Sequence, residues 1–418
     1  MLLGCIADDL TGATDLGINL VREGLSVIQV NGLPAPDFKL PVADAVVVAL
    51  KSRTIASGDA IAQSLAALAW LRARGAERIY FKYCSTFDST PAGNIGPVTE
   101  ALQAALGGAI VPATPAYPRN LRTVYRGHLF VGDALLSETG MRDHPLTPMT
   151  DSNLVRVLAA QSRAGVGLVP YPILEAGPAA VRARLDALAH EGCGHAIVDA
   201  IRDEHLIAAG AALAELPLTT GGAGLAFGLA HFLRSRARPG GGAFSLPTPR
   251  GPVAWLSGSC SEATRTQVAR ARHESRAFCL DPLQLASEPA HAEAVASQAI
   301  AALGPAPVLV YATASPDEVA EAQRTLGVES AATLVESAFR VVATALAAAG
   351  VRAFVIAGGE TSGAVVEALG VRALAIGPEI DAGVPWTRAV SGEPYWLALK
   401  SGNFGGADFF TRATAALG

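Results

Sequence analysis

Apolar and polar positions along the chain form two recurring patterns. Short apolar runs rich in β-branched and aromatic residues are separated by longer segments of Ala, Leu and Arg with a helical period. In the first half these short runs are SVIQV (26–30), AVVVAL (45–50), RIYFKY (78–83) and HAIVDA (195–200). Buried strands separated by helices are typical of parallel sheets covered on both faces, so the pattern predicts an α/β fold.

A break in the pattern indicates where one domain ends. Positions 238–252 read RPGGGAFSLPTPRGP, in which Gly and Pro are frequent and no apolar period continues. A length of 418 residues is more than one ordinary domain needs. We therefore predict an N-terminal domain at 1–237, a linker at 238–252 and a C-terminal domain at 253–418.

The same alternation of strands and helices resumes after the predicted linker. The apolar runs are PVAWLSGS (252–259), PVLVYATA (307–314), RAFVIAGGE (352–360), RALAIGPE (372–379) and YWLALKSGN (395–403). We expect each run except the last to lead into a helix, and a final helix to begin near Ala407. Each domain is thus predicted to contain a mainly parallel sheet covered by helices.

Composition narrows the class of protein. Half of the residues are hydrophobic and 17% are charged, as in well-buried globular proteins. Gly, Arg or Asp interrupts the apolar runs before the ~18 residues that a membrane span needs, so no membrane association is expected. The N-terminus, MLLGCIADDL, has no basic region typical of a secretory signal.

Cysteine usage and charge exclude several kinds of site. The five cysteines are widely spaced without a CxxC, so the sequence indicates neither a disulfide framework nor a zinc site, and a reducing, cytoplasmic location is expected. The histidines show no metal-binding spacing, which leaves any metal ligands unknown. A net charge of −5 without a basic stripe makes nucleic acid an improbable partner.

Two polar stretches in the first half stand at predicted strand ends, where ligands bind in open parallel sheets. These are IADDLTGATD (6–15) and KYCSTFDSTPAGNIG (82–96), both dense in Asp, Ser and Thr. Such side chains suit a polyol or a sugar acid better than a nucleotide phosphate. The structural alternative for Asp8 or Asp9 is an N-cap on the helix that follows.

Lysine is rare in this chain, and most of the lysines lie near predicted strand ends. Only four of the 32 basic residues are lysines, and three of them, Lys51, Lys82 and Lys400, lie at or just after predicted strand ends. A ligand-binding role is one interpretation, and a solvated loop charge is the alternative for any single lysine.

Three loops in the second half are rich in Gly, Ser and Thr and lie between a strand and a helix. They are LSGSCSEAT (256–264), AGGETSGAV (357–365) and KSGNFGGADFF (400–410). Small residues let the backbone N–H groups approach an anion, so together the loops predict a nucleotide-phosphate site, although each alone could serve turn geometry. No GxxxxGK[ST] motif occurs, and TTGGAGLAFG (219–228) is interpreted as a structural helix start.

These motifs resemble the four-carbon acid sugar kinase family, in particular its branch acting on 3-oxo-tetronates. The similar stretches run in the same order from Ile6 to about Phe410. The resemblance implies a sugar-acid-binding domain, a nucleotide-binding domain and an active site in the cleft between them. It also implies ATP and Mg²⁺ as cofactors and phosphorylation of the terminal hydroxyl of a four-carbon keto acid.

The resemblance also assigns roles to residues. Asp9 is expected to be the catalytic base, with Asp8 as the second candidate and a holder of substrate hydroxyls. The expected sugar-acid contacts are Asp8, Lys82, Ser85, Asp88, Ser89 and Asn94. The expected nucleotide contacts are Ser257, Gly258, Ser259, Gly359, Glu360, Thr361, Ser362, Gly363, Gly402, Asn403 and Gly405.

One departure from the family pattern affects the substrate carboxylate. Related tetronate kinases tend to read Leu-Arg-Gly-Asn after Asp-Ser-Thr, whereas this chain has Pro91-Ala92-Gly93-Asn94. The change fits the oxo-tetronate branch, but it removes an arginine, and Arg119, Arg122 or Lys82 is a candidate replacement.

Other functions stay open from the sequence. They are a D-threonate or D-erythronate kinase of the same family, a non-catalytic regulator that binds nucleotide and sugar acid, and a nicotinamide-dependent dehydrogenase. The last lacks a full GxGxxG motif. A homodimer is one expected assembly.

Overall fold

The computed structural model describes residues 1–144, 146–238 and 242–417 and divides the chain into two compact units, Met1–Ala243 and Phe244–Gly418. This division falls within the predicted linker, of which 239–241 lie outside the described residues. The end of that segment belongs to the second unit, because the Phe244 amide donates to the carbonyl of Ile376 and Leu246 packs on the core.

The first unit contains eleven of the strands that the structure describes. They are β1 (Leu3–Ala7), β2 (Val27–Asn31), β3 (Ala45–Ala49), β4 (Arg78–Lys82), β5 (Val111–Thr114), β6 (Arg122–Tyr125), β7 (His128–Val131), β8 (Ala134–Leu135), β9 (Gly165–Val169), β10 (Cys193–Val198) and β11 (Leu218–Gly221). Its α-helices are α1 (Leu10–Arg22), α2 (Ser57–Ala73), α3 (Ile95–Leu106), α4 (Leu154–Ala159), α5 (Tyr171–Glu175), α6 (Pro178–His190), α7 (Asp203–Leu213) and α8 (Ala223–Leu233).

Eight of these strands form a parallel sheet in the order β2-β3-β1-β4-β11-β5-β10-β9. β1 lies between β3 and β4, with Ala7 opposite both Ala49 and Lys82. The carboxyl ends of these three strands are therefore level, and the loops that follow them leave the same edge of the sheet. Strands β6, β7 and β8 form a separate antiparallel sheet.

Two local features of the first unit can be compared with the sequence predictions. β2 leads directly to its parallel neighbour β3 through a coil at 32–44, without a helix. The stretch 219–228 includes most of a short strand, β11, and it opens α8 as expected. A Cβ on Gly224 would lie 2.3 Å from the Ala116 carbonyl oxygen, so close packing accounts for this glycine.

The second unit repeats the alternation of strands and helices. Its strands are β12 (Val253–Ser257), β13 (Arg276–Cys279), β14 (Val308–Tyr311), β15 (Ala353–Ala357), β16 (Ala373–Asp381), β17 (Val384–Ala389) and β18 (Trp396–Lys400). Its helices are α9 (Glu262–Glu274), α10 (Pro282–Ser287), α11 (His291–Ala301), α12 (Pro316–Leu326), α13 (Val328–Ala348), α14 (Gly359–Ala368) and α15 (Phe409–Ala415).

The sheet of the second unit is parallel in the order β13-β14-β12-β15-β18 and continues through the antiparallel strands β17 and β16. The α/β class is thus confirmed. The helix expected after 372–379 is wrong, since β16 turns back into β17 at Gly383, whose φ of +77° suits glycine. Indole and phenyl rings dominate this core, with Trp255, Trp386, Phe409 and Phe410 at most 3% exposed.

One helix in the described part of the chain, α13, is long and apolar enough to cross a membrane by length and composition alone. In the structure, 39% of its apolar window is buried, including Phe339, Val342 and Leu346. Core helices of globular proteins share these properties. In this structure α13 packs within the second unit through these buried side chains.

Candidate functional site

The acidic residues predicted for the sugar-acid site lie at the shared edge of β1, β3 and β4. Asp8 and Asp9 follow the end of β1, and Lys82 is the last residue of β4. Because Ala7 is paired with Lys82, the two strand ends bring these side chains together. The Lys82 ammonium lies 3.3 Å from Asp9 Oδ1, and it is buried.

Arg53 lies at the centre of this cluster, although sequence reasoning did not identify it. Its Nε and Nη2 donate to the two oxygens of Asp8, both at 2.9 Å. Nη2 also lies 2.7 Å from Asp9 Oδ1, and Nη1 lies 3.5 Å from Asp88 Oδ2. Sequence reasoning singled out Lys51 in this loop, yet the loop's position after β3 could equally have drawn attention to Arg53.

Asp9 combines a capping role with two contacts to cations. It is the N-cap of α1, and its Oδ2 accepts hydrogen bonds from the Gly12 amide and the Thr11 hydroxyl, both at 3.1 Å. Burial alone would raise the pKa of Asp9, but Arg53, Lys82 and the two hydrogen bonds outweigh it and lower the pKa. Asp9 is thus firmly ionised, and the structural alternative weighed from the sequence applies to it.

Asp8 has a different environment. It is 5% exposed, and its carboxylate has the paired Arg53 contact described above. Burial raises the pKa of Asp8, while the Arg53 charge opposes the rise. Of the two neighbouring aspartates, Asp8 therefore has the greater affinity for a proton.

Asp15, in the second turn of α1, is another buried carboxylate near the cluster. Its Oδ1 accepts one long hydrogen bond, 3.3 Å from the Asn19 side chain. Burial raises its pKa to about 7, although the charge of Lys82 acts in the opposite direction. Asp15 can therefore hold a proton near neutral pH.

The other predicted sugar-acid residues occupy varied positions. Asp88 accepts from the Thr86 hydroxyl at 2.5 Å and faces Arg53, so it joins the cluster. Ser89 accepts from the Gln161 side chain at 2.8 Å. Ser85 lies in the turn after β4, and no side-chain partner for it is found among the described residues.

Asn94 supports the cluster from behind. Its Nδ2 donates to the carbonyls of Ser52 and Ile55 at 2.8 and 2.9 Å. These two residues flank Arg53, so the amide fixes the loop that carries the guanidinium. A direct contact of Asn94 with substrate stays a prediction.

The three predicted phosphate loops of the second unit come together in the structure. A Cβ on Gly258 would lie 2.1 Å from the Thr361 hydroxyl, and a Cβ on Gly402 would lie 2.6 Å from the Ser259 hydroxyl. A side chain at either position would therefore displace the hydroxyl groups that lie where the loops meet. The loops converge because they follow β12, β15 and β18, which are parallel neighbours in the sheet. From the sequence, composition alone had suggested that the three loops form one site.

The loop at the start of α14 presents backbone N–H groups that have no acceptor within the helix. Gly358, with a φ of +122°, precedes the helix and lies close to Ser259. The first-turn N–H groups of Gly359 and Thr361 have no partner within the helix, as at any helix N-terminus, and an anion can accept from them. Ser362 and Gly363 are buried within α14, and Gly405 has a φ of +80° in the loop after β18.

A cavity of about 720 Å³ adjoins two of these loops within the second unit. Of the eleven predicted nucleotide contacts, Gly258, Glu360 and Thr361 line it on the loop side. The other eight do not, namely Ser257, Ser259, Gly359, Ser362, Gly363, Gly402, Asn403 and Gly405. Its remaining wall includes Arg265, Arg272, Tyr311, Val319, Val328 and Val335. The volume and mixed lining fit a ligand of nucleoside size. Sequence reasoning missed these wall residues because all except Tyr311 lie on helices α9, α12 and α13 rather than in motifs, and Tyr311 ends β14 without a motif of its own.

Side chains with metal-binding chemistry do not cluster in the part of the chain that the structure describes. No group of three or more His, Cys, Asp or Glu residues is placed to hold a metal ion there. Magnesium commonly takes one or two protein carboxylates together with phosphate oxygens, so a nucleotide-bound Mg²⁺ does not need such a group. Glu360 is the carboxylate among the predicted nucleotide contacts that lines the cavity.

Comparisons with known proteins agree with a sugar-binding first unit and a nucleotide-binding second unit. Residues 3–229 match the family model of a sugar-binding N-terminal domain, and residues 254–410 match that of a nucleotide-binding C-terminal domain. The chain is 54% identical to the 3-oxo-tetronate kinase of Burkholderia multivorans and 56% identical to that of Cupriavidus necator, in both cases over 100% of this chain and 97% of the relative.

A solved structure from Salmonella typhimurium LT2, described as a tRNA synthase, has a TM-score of 0.89 and 44% identity, covering 99% of each chain. The two family-model matches and the identity to curated relatives over the whole length lead to one assignment. This chain belongs to the four-carbon acid sugar kinase family.

Proposed function

We propose that this protein is a 3-oxo-tetronate kinase, which uses ATP to phosphorylate the terminal 4-hydroxyl of a four-carbon keto acid. The observation that carries the proposal is the identity of 54–56% to proteins of that name along the entire chain. The acidic cluster of the first unit and the glycine-rich loops of the second provide chemistry suited to the two substrates.

The second unit fits a nucleotide. ATP supplies the phosphoryl group when bound, and Mg²⁺ is expected to accompany it. The N–H groups at the start of α14 and the loops around Gly258 and Gly402 would hold phosphates, since a side chain in place of either glycine would fill the space where the loops meet. The cavity beside them would take the nucleoside.

The first unit supplies groups that orient a polyhydroxy acid. Asp8, Asp9 and Asp88 carry three negative charges against the two positive charges of Arg53 and Lys82, so the cluster as a whole favours hydroxyl donors over a carboxylate. An aspartate there would accept the proton of the attacking hydroxyl. Asp9 was the expected base, and its role as base stays a prediction.

The partner of the substrate carboxylate is a separate question with three candidates. Arg119 is paired with Asp203, and Lys82 is paired with Asp9. Arg122 donates from Nη1 to the carbonyl of Asn120, but its buried Nε has no hydrogen-bond partner among the described residues. Because a buried unpaired donor is costly, an incoming carboxylate would gain most at Arg122.

The test is an ADP-release assay against D-threonate, D-erythronate and the corresponding 3-oxo-tetronates, with and without Mg²⁺. We expect Mg²⁺-dependent release, with the 3-oxo acids giving the higher kcat/KM because Pro91-Ala92 replaces the usual Leu-Arg. Equal or better turnover of D-threonate or D-erythronate would instead favour the related kinases of the family. Nucleotide binding without ADP release would favour a non-catalytic regulator.

The tRNA chemistry in the description of the Salmonella structure receives no support from this chain, whose net charge is −5. A cytoplasmic location, a homodimer and a reaction that takes place between the two domains stay predictions.

A further inference from the structure

Lys400 is a buried lysine with an unusual set of partners. Its side chain is 0% exposed at the end of β18. The ammonium donates to Thr264 Oγ1 at 3.0 Å and to the carbonyls of Ser401 and Gly402, both at 2.9 Å. Within the described ranges no carboxylate lies within ion-pair distance of it. Burying a charge in this way lowers the free energy of unfolding, and a function of Lys400 would explain why the protein keeps it.

The Gly402 carbonyl receives more donors than such a group usually accepts. The hydroxyls of Ser261 and Thr264 donate to it at 2.7 and 2.8 Å, in addition to Lys400. A carbonyl oxygen has two lone pairs, so three donors fix its direction firmly. Lys400 thus draws two successive carbonyls, those of Ser401 and Gly402, towards the inside of the unit.

The direction of these carbonyls determines the direction of the next amides. In a planar trans peptide the C=O of one residue and the N–H of the next point in opposite directions. With the Ser401 and Gly402 carbonyls held on the Lys400 side, the N–H groups of Gly402 and Asn403 face the opposite side. Neither N–H has an acceptor among the described residues, and successive free amides of this kind form an anion site.

We propose that Lys400 is a positioning residue of the nucleotide site, which holds the loop after β18 so that the Gly402 and Asn403 amides can bind a phosphate. This inference rests on the proposed function and deepens it. Lys400 does not itself touch the ligand in this arrangement. It acts through the loop, and its positive charge lies behind the amides, where it adds to their attraction for an anion.

The surroundings of Lys400 make the role measurable. The facing groups are the neutral Thr264 of α9, the Phe409 ring of α15 at 5.9 Å, and Asp381 at the end of β16. Asp381 is itself paired with Arg412. Burial lowers the pKa of Lys400 to about 7, opposed by the charge of Asp381. A bound phosphate would raise the pKa again, so nucleotide binding above pH 7 should take up a proton.

The experiment is calorimetry with a non-hydrolysable ATP analogue and Mg²⁺ at pH 8, in buffers of different ionisation enthalpy. The proteins are the wild type, Lys400→Met and the matched control Lys39→Met, which changes an exposed lysine of the first unit. Wild type and control should take up more than about half a proton on binding. Lys400→Met should take up none and should bind at least ~10-fold more weakly, with unchanged affinity for the sugar acid.

A second variant keeps the test decisive if Lys400→Met does not fold. Thr264→Val removes one donor to the Gly402 carbonyl and one acceptor of the ammonium, so nucleotide affinity should fall while proton uptake persists. Nucleotide affinity equal to wild type in Lys400→Met, or in Thr264→Val where only that variant folds, would overturn the inference and leave the kinase proposal intact. A wild-type protein that binds no nucleotide would instead contradict the proposed function.

Discussion

At the scale of single residues, the acidic cluster of the first unit depends on Arg53. Its guanidinium contacts Asp8, Asp9 and Asp88, and the side chain is only 23% exposed. Arg53→Met should lower the free energy of unfolding by about 3 kcal/mol, because it leaves the buried Asp8 without its partner. Arg53→Lys should recover part of the loss, since lysine keeps the charge but not the paired geometry.

Urea unfolding measures the free energy of unfolding of Arg53→Met and Arg53→Lys. Arg142→Met, at an exposed arginine of the same unit, is the matched control and should unfold like the wild type. If Arg53→Met unfolds with the same free energy as the wild type, solvent rather than Arg53 stabilises the negative charges of the aspartates.

Two roles of Asp9 can be separated by the choice of substitution. Asparagine caps helices about as well as aspartate, so Asp9→Asn keeps the contact with the α1 amides but removes the base. If Asp9 is the base, kcat should fall by ~10² to 10⁴ with a smaller change in KM. Asp9→Ala should in addition lose about 1 kcal/mol of stability with the cap.

Asp8→Asn serves as the comparison, since loss of a hydroxyl-binding group should raise KM more than it lowers kcat. Steady-state kinetics and thermal melting on all three variants distinguish the roles. A normal kcat in Asp9→Asn would restrict Asp9 to the cap and leave Asp8, which has the higher proton affinity of the two, as the candidate base.

Sequence reasoning succeeded for residues attached to predictable strands. Asp8, Asp9 and Lys82 could be placed near one another because they end buried apolar runs whose parallel pairing is the common arrangement. Arg53 could not, since it lies four residues beyond β3 in a loop without periodicity. The cap at Asp9 was weighed as an alternative, but only coordinates decide which of two adjacent aspartates faces the helix.

At the scale of elements, the alternating pattern predicted strands well and connections less well. All nine of the quoted apolar runs contain an observed strand. β17 was not expected, because in a parallel α/β pattern a helix normally follows a strand. The hairpin depends on a tight turn around Gly383, and its residues VPWTRA carry no clean alternation of apolar and polar positions.

The meeting of three loops in the second unit yields a prediction for Gly402. A Cβ there would lie 2.6 Å from Ser259 Oγ and 3.1 Å from Ser261 Oγ, so Gly402→Ala should displace these two hydroxyls and occupy the space between the loops. Nucleotide affinity should fall by at least ~10-fold, equivalent to 1.4 kcal/mol, while sugar-acid affinity stays unchanged. Titration calorimetry with each ligand measures the two effects separately.

Gly304→Ala is the control for Gly402→Ala, because a Cβ at Gly304 meets open space in the same unit. Its nucleotide affinity should equal that of the wild type. If folded Gly402→Ala also binds nucleotide normally, the loop after β18 does not belong to the nucleotide site.

At the scale of the whole molecule, length and the glycine- and proline-rich break predict a chain of two parts, and the structure divides it after Ala243. The break alone could not show that residues 244 and 246 pack on the second unit, since that depends on a hydrogen bond to β16 and on apolar contacts. Chains of two units need not unfold in one step. Three of the four tryptophans, Trp255, Trp386 and Trp396, belong to the second unit, so their fluorescence reports mainly on it.

The free energy of unfolding of the second unit should depend on pH through Lys400. The pKa of this lysine is about 7 in the folded protein and ~10.4 in an unfolded chain. Between these values the unfolded state binds the extra proton, so the Lys400 contribution to stability rises as pH increases from about 7 to about 10. Below pH 7 both states are charged, and the cost of burying the ammonium is complete and constant.

Lys400→Met lacks this cost at every pH. Its stability relative to the wild type should therefore be most favourable at pH 6.5, and this advantage should shrink at pH 8 and again at pH 9.5. Urea unfolding followed by tryptophan fluorescence at these three values measures the difference, and Lys39→Met should show none at any of them. Because other groups that titrate in this range are common to both proteins, they cancel in the comparison. A difference between Lys400→Met and the wild type that stays constant with pH would show that Lys400 titrates outside this range and that burial does not lower its pKa.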